Sequence, residues 1–112
     1  MIGMSELDLI QCIIKTKQSS KKAALATVIR TKGSTPRKTG AKMIVFEDGS
    51  IVGTIGGGCG EGEVIKKAQE AIVSGACIHH QVDLTKGLFY EDGGICGGIQ
   101  DIFIEPLVRE SL

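Results

Sequence analysis

The sequence predicts an α+β fold: a single small domain with two helices and a mixed or mostly antiparallel sheet of about five strands. Two stretches carry apolar residues at helical spacing, and five short apolar, β-branched stretches lie between polar or glycine-rich turns. The chain has 112 residues, which suffices for one domain with a modest core. Because no repeat or linker divides it, residues 1–112 are expected to form one domain.

The first helix is predicted to begin after Ser5 and to end near Lys17. Ser5 is a good N-cap, and Asp8 stands three residues later, at the capping-box position. Three apolar residues then recur at helical spacing. The residues expected to form the buried face of this helix are Leu7, Ile10 and Ile14.

The strands are predicted over residues 24–30, 42–46, 51–55, 78–84 and 102–105, the last one closed by Pro106. The second and third are expected to form a hairpin across residues 47–50, where Asp48-Gly49 suits a two-residue turn. In the fourth strand, the even-numbered residues, most of which are apolar, share one face, and the polar odd-numbered residues share the other. His80 is therefore interpreted as a core histidine and His79 as a surface residue.

The second helix is predicted over residues 61–74, with Gly75 as its stop signal. Between the fourth and fifth strands, residues 85–100 contain five glycines and little periodicity. A loop of this length in a small domain is usually functional or disordered. We therefore treat it as a candidate part of a site.

Charge and composition exclude several classes of function. Thirteen basic and thirteen acidic residues balance, so no overall field attracts nucleic acid or an anionic membrane. No apolar run approaches the ~20 residues of a membrane span, and no signal peptide is recognisable. A cytoplasmic location is expected. The four cysteines, which lack any CxxC spacing, are then expected to be free thiols: Cys12, Cys59, Cys77 and Cys96.

The strongest candidate site is the run Gly56-Gly57-Gly58-Cys59-Gly60-Glu61-Gly62 before the second helix. Glycines let the backbone approach a ligand closely, and a helix N-terminus favours anions and thiolates. The run therefore predicts an anion cradle beside a nucleophilic or ligating sulfur. A purely structural turn is the alternative, because Glu61 and Glu63 already complement the helix dipole.

Two further loops are expected to join this site. The loop Gly33-Ser34-Thr35-Pro36-Arg37-Lys38 offers hydroxyls and cations, and Arg37 is the predicted electrostatic anchor for phosphate or carboxylate. The stretch Cys96-Gly97-Gly98 would bring a second thiol to the same cavity. A disulfide or a zinc site with His79 and His80 is the alternative, but zinc sites usually contain local CxxC or HxxxH pairs, and these are missing. Cys77 is interpreted as a packing residue.

Five motifs in register give the chain its resemblance to a known family. They are Ala26-Thr27-Val28, Gly33-Ser34-Thr35-Pro36-Arg37, Gly40-Ala41-Lys42-Met43, Gly53-Thr54-Ile55-Gly56-Gly57-Gly58-Cys59 and Cys96-Gly97-Gly98. Together they resemble the N-terminal domain of the XdhC/CoxI family over nearly the whole chain. Glu61 matches the acidic position of that family near the helix start. Gly60 departs from it, because the family commonly has a larger residue after the cysteine, and a looser loop is the expected consequence.

The resemblance implies a maturation factor for molybdenum hydroxylases of the xanthine dehydrogenase type. Such a protein would bind molybdenum cofactor (molybdopterin) as cargo, protect it during sulfuration and deliver it to the hydroxylase apoenzyme. A cysteine desulfurase is the implied sulfur donor. Longer members continue into a Rossmann-like domain, so any function that needs that domain is expected to come from a separate protein or to be absent.

Two other functions stay open from the sequence alone. The chain could be a small thiol enzyme that carries sulfur as a Cys59 persulfide or cycles with Cys96, or a non-catalytic interaction module. No complete catalytic or metal-binding motif is present, which favours an accessory protein over an enzyme. An exposed sheet edge would also permit a homodimer.

Overall fold

Five strands form one antiparallel sheet with a helix on each face. The computed structural model describes residues 5–35, 37–56, 60–85 and 97–108. In chain order the elements are α1 (Glu6–Gln18), β1 (Ala23–Lys32), β2 (Lys42–Phe46), β3 (Ile51–Gly53), α2 (Glu61–Ser74), β4 (Ile78–Asp83) and β5 (Ile99–Leu107). The strand order is β3-β2-β1-β5-β4, and every neighbouring pair is antiparallel. The predicted α+β class is confirmed.

The central strand β1 contributes to a core on both faces of the sheet. Ala24, Ala26 and Val28 are fully buried on the face that α2 covers, whereas Ala23 and Leu25 pack in the cluster of α1. Successive strand residues point to opposite faces, so a strand covered on both sides has no polar alternation in its buried part. This explains the near-continuous apolar sequence of β1.

The second helix has the predicted bounds and the predicted core face. Val64, Ala68 and Ala71 are fully buried against the sheet. Gly75 ends the helix in the left-handed conformation, with φ of 73°, and its N–H donates to the Ala71 carbonyl at 2.8 Å. Glycine adopts this conformation without the steric penalty of a side chain, which explains the stop at this position.

The first helix has the predicted cap but a different buried face. Ser5 Oγ accepts the Asp8 N–H at 3.1 Å, and Asp8 Oδ2 accepts the Ser5 N–H at 3.4 Å, which completes the capping box. The predicted inner face was wrong, because Leu7, Ile10 and Ile14 are exposed. The side chains that pack toward the sheet are Leu9, Cys12, Ile13 and Thr16.

Thr16 explains why the sequence pattern misleads. Its hydroxyl donates to the Cys12 carbonyl at 2.7 Å, so a polar side chain can be buried at the end of the helix without an unsatisfied donor. The helix therefore has two stripes at helical spacing. Counting only large apolar residues selects the stripe that faces outward.

Strand pairing shifts several predicted boundaries. β5 begins at Ile99 rather than Ile102, because its first residues pair with the end of β1, as in Lys32↔Ile99. Pro106 lies inside the strand rather than after it. It stands beyond Ile104, where pairing with β4 ends, and a strand segment with one neighbour tolerates a proline.

The remaining differences concern β1, β3 and β4. β1 spans 23–32 instead of 24–30, whereas β3 and β4 end two residues and one residue earlier than predicted, at Gly53 and Asp83. Pairing with β2 includes only three residues of β3, and pairing with β5 includes six residues of β4. Strand ends thus follow the available partners rather than local composition.

The β2–β3 hairpin is confirmed, but its turn differs from the predicted one. The Gly49 N–H donates to the Phe46 carbonyl at 2.9 Å, so Glu47 and Asp48 are the central turn residues, and Gly49 follows with φ of 91°. A turn followed by a left-handed glycine is typical of a three-residue hairpin loop. Hydrogen bonds from the Ser50 hydroxyl and then the Ser50 N–H lower the pKa of Asp48.

The two leucines of α1 test the orientation of the helix. Leu9→Ala is expected to lower the free energy of unfolding by about 2–3 kcal/mol, because it leaves a cavity against the sheet. Leu7, whose relative exposure is 64%, is the matched control, and Leu7→Ala should change stability by less than about 0.5 kcal/mol. Urea denaturation followed by circular dichroism measures both. Equal losses would contradict the observed orientation.

Candidate functional site

Two of the predicted site loops meet where β1 ends and β5 begins. The Gly97 N–H donates to the Ser34 carbonyl at 3.1 Å, which joins the loop after β1 to the residues before β5. The Leu84 N–H donates to the Gly98 carbonyl at 2.8 Å, so the end of β4 is tied to the same place. The structure thus brings together loops that lie more than 60 residues apart in the sequence.

Gly98 makes the closest approach between these loops. A Cβ at this position would lie 2.4 Å from the Lys32 carbonyl oxygen and 2.5 Å from the Ser34 carbonyl oxygen. No side chain fits at such distances, so the two backbones can be this close only with a glycine. Gly97 differs, because a Cβ there would meet no atom of the described residues within 4 Å. The two adjacent glycines therefore have different roles.

Gln100 links the same region to the third predicted loop. Its side chain is fully buried, and its Nε2 donates to the Arg37 carbonyl and to the Ile55 carbonyl, each at 3.3 Å. Two carbonyl acceptors fix the orientation of the amide, since a flipped amide would place its oxygen against both. The Oε1 atom is buried without a hydrogen-bond partner among the described residues. A buried polar atom of this kind is unusual in proteins.

Sequence reasoning missed Gln100 because its position was assigned to the long loop. A glutamine that directly follows Gly97-Gly98-Ile99 gives no recognisable motif. The usable signal is the sequence Gln100-Asp101-Ile102 at the start of an apolar stretch. A glutamine or aspartate in a strand that is buried on both faces must find internal hydrogen bonds.

Backbone N–H groups of the turn before α2 donate to a carboxylate of the same chain, that of Glu61. The Glu61 carboxylate accepts the Ile55 N–H and the Gly56 N–H, each at 3.3 Å, and Thr54 Oγ1 also donates to it. The sequence predicts that backbone amides at this turn receive a ligand anion. For Ile55 and Gly56 the acceptor is instead Glu61, which agrees with the structural alternative for these two residues.

Gly60 itself is tightly packed, whereas the rest of the loop that was expected to be looser lies outside the described residues. It is buried, has φ of 76° and stands at the N-cap of α2. A Cβ at this position would lie 2.5 Å from Val82 Cγ1 in β4. Both the conformation and the contact favour glycine, so its presence fits this fold.

An open cavity of about 560 Å³ lies along the loop that follows β1. Its lining residues are Thr31, Gly33, Ser34, Thr35, Lys38 and Thr39. Four hydroxyls and one ammonium group therefore surround the space, a combination that suits phosphate or carboxylate oxygens. The cavity is lined by Lys38, whereas the predicted anchor, Arg37, is exposed and contributes its carbonyl to Gln100 instead.

Several predicted site residues lie outside the described part of the chain. These are Pro36, Gly57, Gly58, Cys59 and Cys96. Their roles as cofactor-binding residues, and the convergence of the two thiols on one cavity, stay predictions. The same holds for the thiol enzyme alternative, which depends on Cys59 and Cys96.

The other candidate residues do not form a metal site. Within residues 5–35, 37–56, 60–85 and 97–108, no group of three or more His, Cys, Asp or Glu side chains could hold a metal ion. His79 is exposed, and His80 is half-buried, with Nε2 at 3.4 Å from Glu63 Oε1. Cys77, predicted to pack, is exposed, because it precedes β4 and has no strand partner. No described helix is long and apolar enough to cross a membrane.

Comparisons with known proteins agree with the motif pattern. The model of the XdhC and CoxI family matches residues 17–83, which is more than half of the chain. This chain belongs to the XdhC and CoxI family. The matched segment contains the hydroxyl and lysine cavity, the β2–β3 hairpin and helix α2.

Three curated proteins are similar over most of this chain. The uncharacterized protein YqeB of Escherichia coli K12 is 36% identical over 80% of the chain. A protein of Bacillus subtilis 168 named as a probable xanthine dehydrogenase component is 28% identical over 83% of it. The molybdenum cofactor insertion chaperone PaoD of Escherichia coli K12 is 34% identical over 60%.

A solved structure supports the fold. The crystal structure of a xanthine dehydrogenase from Bacillus halodurans matches with a TM-score of 0.76 and 32% identity, over 92% of this chain and 30% of that one. The chain spans only 16%, 29% and 21% of the length of YqeB, the Bacillus subtilis protein and PaoD. The similarity thus concerns one segment of longer proteins.

The two neighbouring glycines test the contact between the loops. Gly98→Ala is expected to lower the free energy of unfolding by about 1–3 kcal/mol, because its Cβ would force apart backbone atoms that cannot move independently. Gly97→Ala is the matched control and should change stability by less than about 0.5 kcal/mol. Chemical denaturation of both variants checks the difference. A Gly98 variant as stable as wild type would contradict the close approach.

The Gln100 amide can be tested with a side chain of similar shape. Gln100→Met removes the donor to both carbonyls; the Arg37 carbonyl keeps its hydrogen bond from the Thr35 hydroxyl, whereas the Ile55 carbonyl loses its bond from Gln100, so we expect a loss of about 1–2 kcal/mol. Gln69→Met is the control, since Gln69 Nε2 donates to a single exposed carbonyl, that of Glu47. Urea unfolding gives both values. Similar small losses would show that the bridge contributes little.

Proposed function

We propose that this domain binds molybdenum cofactor as cargo and delivers it to a hydroxylase apoenzyme of the xanthine dehydrogenase type. The observation that carries the proposal is the cavity lined by hydroxyls and Lys38, at the place where the two glycine loops meet. Membership of the XdhC and CoxI family supports it, as does similarity to a relative named as a molybdenum cofactor insertion chaperone.

The described residues fit the phosphate end of such a cargo. A volume of about 560 Å³ lies within the range of ligand pockets. The hydroxyls of Thr31 and Thr39 can donate hydrogen bonds to phosphate oxygens, and Lys38 supplies a positive charge, whereas the Thr35 hydroxyl donates to the Arg37 carbonyl. These polar groups match a charged, hydrogen-bonding ligand better than an apolar one.

In this proposal the chain binds and orients the cargo without transforming it. Lys38 and the hydroxyls hold the phosphate, and Gln100 keeps the Arg37 and Ile55 carbonyls in place. The cofactor supplies its molybdenum chemistry to the hydroxylase that receives it. An open cavity suits a carrier, because a bound group must be able to leave again.

The finer parts of the role are also proposals. We infer that the domain supports sulfuration of the cofactor together with a cysteine desulfurase, in the cytoplasm, and that Cys59 lies close to the cargo. A protein with a Rossmann-like domain is a further proposed partner. Persulfide analysis of Cys59 by mass spectrometry, after incubation with a desulfurase and cysteine, distinguishes a sulfur carrier from a cofactor carrier.

Retention of cofactor tests the proposal directly. The protein is mixed anaerobically with molybdenum cofactor released from a donor enzyme, separated by gel filtration, and assayed for molybdenum and pterin. We expect near-stoichiometric retention by wild type and roughly a tenfold weaker affinity for Lys38→Ala, because a charge-assisted hydrogen bond to phosphate is lost.

Lys22→Ala is the matched control for this experiment. Lys22 is also an exposed lysine beside a cavity, but that smaller cavity of about 270 Å³ is lined by residues of the β2–β3 hairpin and the segment before β1. The control should bind as wild type does. If the wild-type protein retains neither molybdenum nor pterin, the proposed function is wrong.

A further inference from the structure

Helix α1 carries an apolar stripe that no described part of the chain covers. Its members are Leu7, Ile10 and Ile14, with relative exposures of 64%, 46% and 50%. At about 100° per residue, the three side chains lie within about 60° of one another on the helix surface. Leu9, which packs toward the sheet, lies about 100–160° from them around the helix, and Ile13 lies between Leu9 and the stripe. The helix therefore has two apolar faces: one packs against its own sheet, and the other points outward.

Large apolar residues that recur on one helical face usually contact a partner. Single exposed apolar residues need no explanation, but a stripe at positions i, i+3 and i+7 matches the spacing of a helix-to-helix contact. The question is what kind of partner matches the charges around the stripe.

The charges of α1 are arranged with opposite signs at its two ends. Glu6 and Asp8 lie in the first turn, and Lys15 and Lys17 lie in the last. Glu6 and Lys17 are 11 residues apart, which places them about 20° apart on the same flank of the stripe. An antiparallel copy of the helix would bring each acidic end against a basic end, twice by two-fold symmetry. A parallel copy would bring like charges together.

We propose that the Leu7-Ile10-Ile14 stripe pairs with the same stripe of a second copy of this chain, in antiparallel orientation. The surface is self-complementary in both apolarity and charge, and the helix dipoles also oppose each other. Three side chains from each copy form an interface well below the ~800 Å² per partner of a standard complex. The dimer is therefore weak and depends on concentration.

This pairing leaves the cavity accessible in both copies. Helix α1 packs at the start of β1, near Ala23 and Leu25, whereas the cavity begins at Thr31. At about 3.3 Å per residue, the two regions are roughly 25 Å apart along the strand. The dimer is thus independent of the cofactor proposal, and either can fail without the other.

Sedimentation velocity over a series of concentrations, from low micromolar to several hundred micromolar, tests the dimer. The wild-type chain is expected to shift from monomer toward dimer as its concentration rises. Ile10→Glu places a charge in the centre of the stripe and should keep the protein monomeric throughout. Val73→Glu is the control, because Val73 is an 89% exposed apolar residue of α2 outside the stripe, and it should dimerise as wild type does.

Charge reversal tests the orientation of the pair. Glu6→Lys and Lys17→Glu should each weaken the dimer about tenfold, because two attractive pairs become repulsive, and the double variant should restore it. Circular dichroism and urea unfolding verify that each variant is folded. A wild-type protein that stays monomeric at the highest concentration overturns the proposal. A dimer that Ile10→Glu does not disrupt also overturns it, and would indicate pairing through a sheet edge.

Discussion

The antiparallel pairing of β1 with β5 determines which loops of this domain lie next to each other. It extends from Ala23↔Leu107 to Lys32↔Ile99, with a shift in register between Val28 and Arg30. Because the pairing is antiparallel, the end of β1 must lie beside the start of β5. The loop after β1 and the glycines before β5 are therefore neighbours, although the hairpin, helix α2 and β4 separate them in the sequence. The candidate site is a consequence of this register.

Short-range polar contacts then stabilise the loops that the register brings together. Gln100 joins the Arg37 and Ile55 carbonyls, and Glu61 accepts the amides of Ile55 and Gly56. Buried polar groups of this kind are stable only when they are paired, so each contact restricts the loops to one arrangement. The turn before α2 therefore has a structural role, because Glu61 accepts hydrogen bonds from two of its backbone amides. Among the described residues, those that line a cavity beside these loops are Lys38 and its neighbouring hydroxyl residues, and the cofactor proposal rests on them.

Two different surfaces lie at the two ends of the central strand β1. One end carries the glycine contacts and the cavity, and the other carries α1 with its outward apolar stripe. In the proposed role the domain needs both a place for its cargo and surfaces for other proteins, and the ten-residue strand β1 separates the two regions. In the curated relatives the matched segment is a minor part of the chain.

The sequence by itself determined the elements whose signals are local. The Ser5 capping box, the Gly75 stop, the apolar period of α2 and the existence of the hairpin depend on residues a few positions apart. Only the tertiary structure decided which stripe of α1 is buried, where β5 begins, and that Gln100 joins two loops. These features depend on contacts between distant residues, because an exposed stripe and a buried one have the same period. A strand in a glycine-rich stretch likewise forms only when a partner strand pairs with it.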